Sequence, residues 1–173
     1  MLGIESSCDD TGVAVVSSSG RVLGEALATQ AEIHAAWGGV VPKLAQEAHE
    51  AAIDCCVDAA LAAAGVEAGE LAGVAVTVGP GLSLCLRVGV RKAHALAARH
   101  ALPLVPVHHM EAHALVARLG RQAEVAFPFL CLLVSGGHNL LLLVEGVGQY
   151  IQLGTTLDDA LGERRLGGGG GRR

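Results

Sequence analysis

Two imidazoles stand four residues apart in the segment His108-His109-Met110-Glu111-Ala112-His113. In a helix, positions i and i+4 lie one turn apart on the same face, so the rings of His109 and His113 can point at one ion. Neutral imidazole is the commonest metal ligand near neutral pH, and two of them make half of a tetrahedral shell. The same spacing also fits two solvated surface side chains. The other histidines add no ligand spacing, with His34, His49, His94 and His100 scattered along the chain. Zinc-peptidase chemistry is disfavoured. That motif places the catalytic Glu directly after the first His, whereas Glu111 follows His109 by two residues and sits about 200° round the helix from it. From there it cannot serve as base for a metal-bound water.

A second chemical candidate is Ser135-Gly136-Gly137-His138-Asn139, between two apolar runs. The paired glycines let the backbone turn tightly and let a ligand approach main-chain N–H groups. An anion-binding nest and a plain hairpin turn both fit. Asp9 and Asp10 lie in Glu5-Ser6-Ser7-Cys8-Asp9-Asp10-Thr11-Gly12, where carboxylates could meet phosphate or metal or could cap a turn. No site role is assigned to them.

Positioning these groups requires strands and helices, and the chain supplies both. Residues 3–17 read as strand, turn and strand, and a third strand runs from about Val22 to Ala28. The strongest helix covers residues 41–64. Val41, Leu44, Ala45, Ala48, Ala52, Cys55, Ala59 and Ala62 form its apolar stripe, Pro42 sits in the first turn and Gly65 stands at the end. A strand over 71–78 closes on Gly79-Pro80-Gly81, and a helix follows over 84–100. Residues 102–107 read as a buried strand that delivers His109 to the start of a helix over 109–119. A strand end entering a helix is where α/β proteins place ligand sites. Residues 129–134 and 140–144 are apolar on both faces and are expected to be central strands.

Composition narrows the function classes. At 173 residues, 51% hydrophobic and with mean hydropathy +0.48, the chain can bury a sizeable core, yet it has no uninterrupted apolar run long enough to cross a membrane. A net charge of −5 argues against strong non-specific nucleic-acid binding by this chain alone. Arg87, Arg91, Lys92 and Arg99 could make one helix face basic, and a solvated helix surface fits them equally. The five cysteines (Cys8, Cys55, Cys56, Cys85 and Cys131) show no C-x-x-C and read as small core residues in a reducing compartment. Met1-Leu2-Gly3-Ile4 opens directly on a strand, so no leader peptide is expected. From residue 164 onward, Arg164-Arg165-Leu166, five glycines and Arg172-Arg173 form a tail expected to be disordered, of the kind a truncation, alternative exon or frame change produces.

Six segments in order carry a family resemblance. They are Gly3-Ile4-Glu5-Ser6-Ser7-Cys8-Asp9-Asp10-Thr11, Gly38-Gly39-Val40-Val41-Pro42, Gly79-Pro80-Gly81-Leu82, the His109/His113 motif, Leu133-Val134-Ser135-Gly136-Gly137-His138 and Thr156-Leu157-Asp158-Asp159-Ala160-Leu161-Gly162-Glu163. The chain resembles the tRNA N6-adenosine threonylcarbamoyltransferases, of the mitochondrial or bacterial type, in their N-terminal part. The resemblance implies an actin-like, Hsp70-like ATPase fold (ribonuclease H-like): a mixed sheet with flanking helices, residues 1–163 forming the first lobe, and the second lobe missing. It implies transfer of a threonylcarbamoyl group from threonylcarbamoyl-adenylate to N6 of the anticodon-adjacent adenosine in tRNAs reading codons that begin with A. His109 and His113 would bind one divalent metal ion, iron or zinc. Leu133, Val134, Ser135, Gly136 and Gly137 would bind the acyl-adenylate.

The implied partners are tRNA and either a second copy or an actin-like homologue. The implied location is the mitochondrion, with a bacterial cytoplasm as the alternative. By the resemblance, family members carry further Asp ligands and a second lobe beyond the stretch matched here, so residues 1–163 by themselves are expected to be inactive. A catalytically dead one-lobe scaffold pairing with an active homologue is the alternative reading.

Overall fold

The computed structural model describes residues 1–121, 124–135 and 139–156. They fall in two compact units, residues 1–112 and 113–173, each with a sheet of its own. In the first unit, β1 (Leu2–Glu5), β2 (Asp10–Val16) and β3 (Val22–Thr29) form an antiparallel meander. Then come α1 (Ala31–Ala35), α2 (Pro42–Ala64), β4 (Val74–Gly79), α3 (Ser83–His100) and β5 (Leu104–His108). The strand order is β3-β2-β1-β4-β5, with β4 parallel to both β1 and β5. The result is the expected mixed sheet with flanking helices. Because β1, β4 and β5 run in parallel, their carboxyl ends (Glu5, Gly79 and His108) share one edge of the sheet.

Alternation places the core. Leu2 and Ile4 of β1, Val13 and Val15 of β2, and Val74 and Val76 of β4 are buried against Ile53, Val57 and Ala60 of α2 and Val88 and Ala93 of α3. Each of the Val, Leu and Ile side chains contributes about 1.5–3 kcal/mol when fully buried, and the alanines less. Helix α2 begins at Pro42, one residue after the expected start, and stops at Gly65, whose φ of 67° is left-handed and suits a residue without Cβ. Its buried face differs from the stripe read in the sequence: Ala45, His49, Ile53, Cys56, Val57 and Ala60 point inward, while Cys55, Ala59 and Ala62 are exposed. Alanine on every side makes the apolar pattern ambiguous, and the branched side chains Ile53 and Val57 decide which face meets the sheet. Of the cysteines, Cys56 and Cys85 are buried and Cys131 half-buried, but Cys8 and Cys55 are exposed rather than core.

The strand expected to be buried over 102–107 is β5, at the edge of its sheet, with Val105 37% exposed. Pro106, opposite Val76, has no N–H to give a further strand, and proline inside sheets is confined to edges for that reason. Helix α4 (His109–Leu115) follows β5, and the boundary between the units falls within it; a single 3-10 turn over Val116–Arg118 replaces the last part of the expected helix.

The second unit pairs β6 (Phe129–Val134), β7 (Asn139–Gly146) and β8 (Gln149–Thr155) as an antiparallel meander. Only β7 is central. On edge strand β6, Leu130, Leu132 and Val134 are 65%, 58% and 54% exposed, so its apolar outer face is not covered within the described residues. The inner face joins Phe129, Cys131, Leu133, Leu142 and Val144 to Ala114 and Leu115 of α4. Strand β8 was not anticipated, although Gly146-Val147-Gly148 ahead of Tyr150-Ile151 is a turn signal. The Gly/Arg tail lies outside the described residues, as do residues 157–163. Among the described residues, no helix is long and apolar enough to cross a membrane.

His49, one of the scattered histidines of the sequence, is fully buried on α2. Its Nε2 faces the Cys8 carbonyl at 3.1 Å and its Nδ1 faces the Thr11 hydroxyl at 2.7 Å. A carbonyl only accepts, so Nε2 carries the hydrogen, and Nδ1 accepts from Thr11. The ring thereby ties α2 to the loop between β1 and β2. His34 is held in a similar way, with Nε2 on Gln30 Oε1 at 3.0 Å and Nδ1 accepting the Val41 N–H at 3.4 Å.

Two stability outcomes follow from this packing. A Cβ on Gly24 of β3 would collide with the Ala60 carbonyl oxygen and lie 2.5 Å from the Ala64 nitrogen. Gly24→Ala should therefore lower unfolding free energy by about 1–3 kcal/mol in urea titrations, since helix backbone must move. An unchanged midpoint would contradict so close an approach of α2 to β3. Burial holds the His49 imidazole below its ordinary 6.5. Below that pH the unfolded chain takes up a proton that the folded chain resists, so stability present above 6.5 is lost as pH falls towards the folded value. His49→Gln should be less stable by about 1–3 kcal/mol and show a shallower loss on acidification, followed by circular dichroism in urea.

Candidate functional site

A single acidic residue ends the otherwise apolar strand β1. The Glu5 carboxylate accepts the Ser7 N–H on Oε1 at 2.5 Å and the Thr77 hydroxyl on Oε2 at 2.5 Å. The same Oε2 is 3.3 Å from Nδ1 of His109. Thr77 comes from β4 and His109 directly follows β5, so this carboxylate links the ends of all three parallel strands. Ser7 closes the cluster, its Oγ lying 3.2 Å from His109 Nδ1. Burial pushes the Glu5 carboxyl up, but hydrogen bonds from Ser7, Thr77 and His109 together outweigh it and hold the group below its ordinary 4.5.

The loop after β1 is clamped from behind. The buried Ser6 hydroxyl donates to the Cys85 carbonyl at 2.9 Å and accepts the Gly89 N–H at 3.1 Å. A Cβ on Gly89 would lie 2.5 Å from that hydroxyl, so α3 can approach Ser6 only because residue 89 is glycine. The Leu82 N–H, at the start of α3, donates to the Ser7 carbonyl at 2.7 Å. The Gly79-Pro80-Gly81 loop is thereby tied to the Ser6-Ser7 segment. The main chain of Asp9 and Asp10 joins the sheet: the Asp9 carbonyl accepts the Gln30 N–H at 3.1 Å, and Asp10 opens β2 opposite Thr29.

Both histidines of the sequence pair lie on α4, His109 partly buried and His113 exposed one turn further on. Two imidazoles fit a borderline divalent cation and supply half of a tetrahedral shell. Among the described residues, no group of three or more His, Cys, Asp or Glu side chains is placed to hold a metal. In the second unit, Leu133 faces the inner core of the β6–β7–β8 sheet, Val134 faces outward, and Ser135 follows the end of the strand. Gly136 and Gly137 lie outside the described residues. The flanking strands pair in register up to Val134 opposite Asn139, so the glycine segment connects antiparallel neighbours. Of the basic residues on α3, Arg87, Arg91 and Arg99 are exposed, while Lys92 pairs with Asp54 at 2.7 Å.

Sequence reading missed Glu5, Ser7 and Thr77 as site residues. The available signal was the carboxylate itself, placed at the end of Leu2-Gly3-Ile4-Glu5, because a charge at the end of a buried strand needs partners.

The fold agrees with that of solved structures to which the chain is similar. Solved structures share the fold at low identity. YeaZ from Pseudomonas aeruginosa matches with TM-score 0.58 and 18% identity over 88% of this chain and 65% of that one. The ethanolamine utilization protein EutJ from Carboxydothermus hydrogenoformans matches with TM-score 0.51 and 16% identity over 90% and 50%. These are actin-like ATPase folds, and the mixed sheet with flanking helices is of that kind.

Sequence relatives are much nearer. Over 163 residues, 94% of this chain, it is 60% identical to a probable mitochondrial tRNA N6-adenosine threonylcarbamoyltransferase from Arabidopsis thaliana, covering 34% of that protein. It is 50% identical to the mitochondrial tRNA N6-adenosine threonylcarbamoyltransferase from Homo sapiens, covering 39%, and 50% identical to the tRNA N6-adenosine threonylcarbamoyltransferase from Pelobacter propionicus, covering 47%. The chain thus spans between a third and a half of the length of these relatives. Residues 21–166 match the family described as TsaD, tRNA N6-adenosine threonylcarbamoyltransferase. With the motifs in order, the matching fold and this span of sequence, the chain belongs to the tRNA N6-adenosine threonylcarbamoyltransferase family.

Proposed function

We propose that the chain carries part of the machinery for transferring a threonylcarbamoyl group from threonylcarbamoyl-adenylate to N6 of the anticodon-adjacent adenosine in tRNAs reading codons that begin with A. The observation that carries this reading is the pinned His109, at the shared end of three parallel strands, in a chain of this family. His109 and His113 are the residues that would hold one divalent cation, iron or zinc. When bound, such an ion supplies Lewis acidity towards an acyl or phosphate oxygen.

The chain's own residues do the rest. Glu5, Ser7 and Thr77 orient the His109 ring. The segment Leu133, Val134, Ser135, Gly136 and Gly137 is proposed to hold the acyl-adenylate. Because the Leu133 side chain is turned to the core, its share in that contact would come from the main chain. The proposed partners are tRNA and either a second copy or an actin-like homologue. The proposed location is the mitochondrion, with a bacterial cytoplasm as the alternative, in line with the names its relatives carry. Residues 1–163 are proposed to act as the first lobe of a longer enzyme, and two imidazoles alone hold a metal too weakly for this stretch to work by itself.

A chimera tests the reading. Residues 1–163 replace the matching stretch of the Pelobacter propionicus relative, and modified nucleosides are measured by mass spectrometry after incubation with tRNA and threonylcarbamoyl-adenylate. The chimera should form N6-threonylcarbamoyladenosine. His109→Ala or His113→Ala should cut the rate by roughly a hundredfold or more, in the range lost when catalytic electrostatic stabilisation is removed. A folded chimera that forms no product, or one indifferent to both substitutions, would count against the proposal.

A further inference from the structure

We propose that Glu5 is a positioning residue for His109: it fixes the imidazole as the Nδ1–H tautomer and so makes Nε2 the nitrogen that binds a divalent cation. The inference deepens the metal reading given above and rests on it for its second half.

The tautomer follows from the contacts. Nδ1 of His109 lies 3.3 Å from Glu5 Oε2 and 3.2 Å from Ser7 Oγ. A carboxylate offers lone pairs only, and that same oxygen already accepts the Thr77 hydroxyl. Were Nδ1 the bare nitrogen, accepting from Ser7, its lone pair would face the carboxylate oxygen without a hydrogen between them. The arrangement is favourable only with the hydrogen on Nδ1, donated to Glu5 and shared with the Ser7 oxygen. The ring's basic nitrogen is then Nε2.

The carboxylate is also kept from swinging away. Its Oε1 is held by the Ser7 N–H and its Oε2 by Thr77, so both oxygens are fixed before His109 meets them. The strand framework sets these partners, because β1, β4 and β5 end side by side. Partners of this kind on metal-binding histidines alter metal affinity by about 10–100-fold when removed.

The test uses the 173-residue chain, labelled with 15N and free of metal. Long-range proton–nitrogen NMR reads which nitrogen of His109 carries the hydrogen, with His109→Ala supplying the assignment, and Zn2+ affinity is then measured by titration. The wild-type ring should appear as the Nδ1–H tautomer. Glu5→Gln places an amide NH2 against donors that need acceptors, so it should convert the ring to a tautomer mixture and weaken Zn2+ binding by about 10–100-fold. Thr77→Val keeps the side-chain shape and removes one of the two anchors, so it should lie between wild type and Glu5→Gln in both measurements; it also serves if Glu5→Gln does not fold by circular dichroism.

An Nε2–H ring in the wild type, or a tautomer unmoved in both folded variants, overturns the positioning role whatever the metal does. A tautomer that changes as expected, in a chain whose Zn2+ affinity is the same in wild type and His109→Ala, overturns the metal assignment instead.

Discussion

Parallel strands that end side by side leave their last residues to find partners among the loops that follow. In the first unit those loops meet on one carboxylate. Glu5 accepts from the backbone of the segment after β1, from a hydroxyl at the end of β4 and from the ring that opens α4. An ionised group that is only partly exposed is costly unless it is well bonded, and these bonds are what make it tolerable there. The same bonds fix where the β1, β4 and β5 ends stand relative to one another, so the position of His109 depends on them.

Support comes from small side chains behind the cluster. Ser6 is wedged between β1 and α3 because residue 89 has no Cβ, and α2 lies against β3 because residue 24 has none. His49 adds a polar tie between α2 and the loop carrying Cys8, beside a hydrophobic core of Ala, Val, Leu, Ile and Cys56. With only two phenylalanines, one tyrosine and one tryptophan in the chain, close backbone approach does much of the work that large aromatic side chains do elsewhere. Close packing of this kind leaves little room for added volume, which makes the glycines sensitive positions.

The second unit is built differently. Its three-stranded meander buries one face against the end of α4 and leaves Leu130, Leu132, Val134, Ile151 and Leu153 exposed on its strands. Continuous apolar runs on β6 and β7 are the composition of strands covered on both sides, and the described residues cover only one.

Apart from the short α1 and strand β8, element types and their order were legible in the sequence because hydrophobic period, Pro42, Gly65 and the glycine-rich turns are local signals. The family was legible because six short motifs recur in order. The His109/His113 pair was legible because four residues make one helical turn. Other features depended on contacts between distant positions. Which face of alanine-rich α2 turns inward was decided by the sheet, since alanine carries little directional information. That residues 104–108 form an edge strand, and 129–134 another, depended on which strands pair. That Glu5, Thr77 and His109 form one cluster depended on three strands ending together, across separations of 72 and 104 residues that no local pattern records. The sequence determined which groups were available for chemistry; the tertiary fold decided which nitrogen of His109 carries the hydrogen, because only the fold brings a carboxylate to that ring.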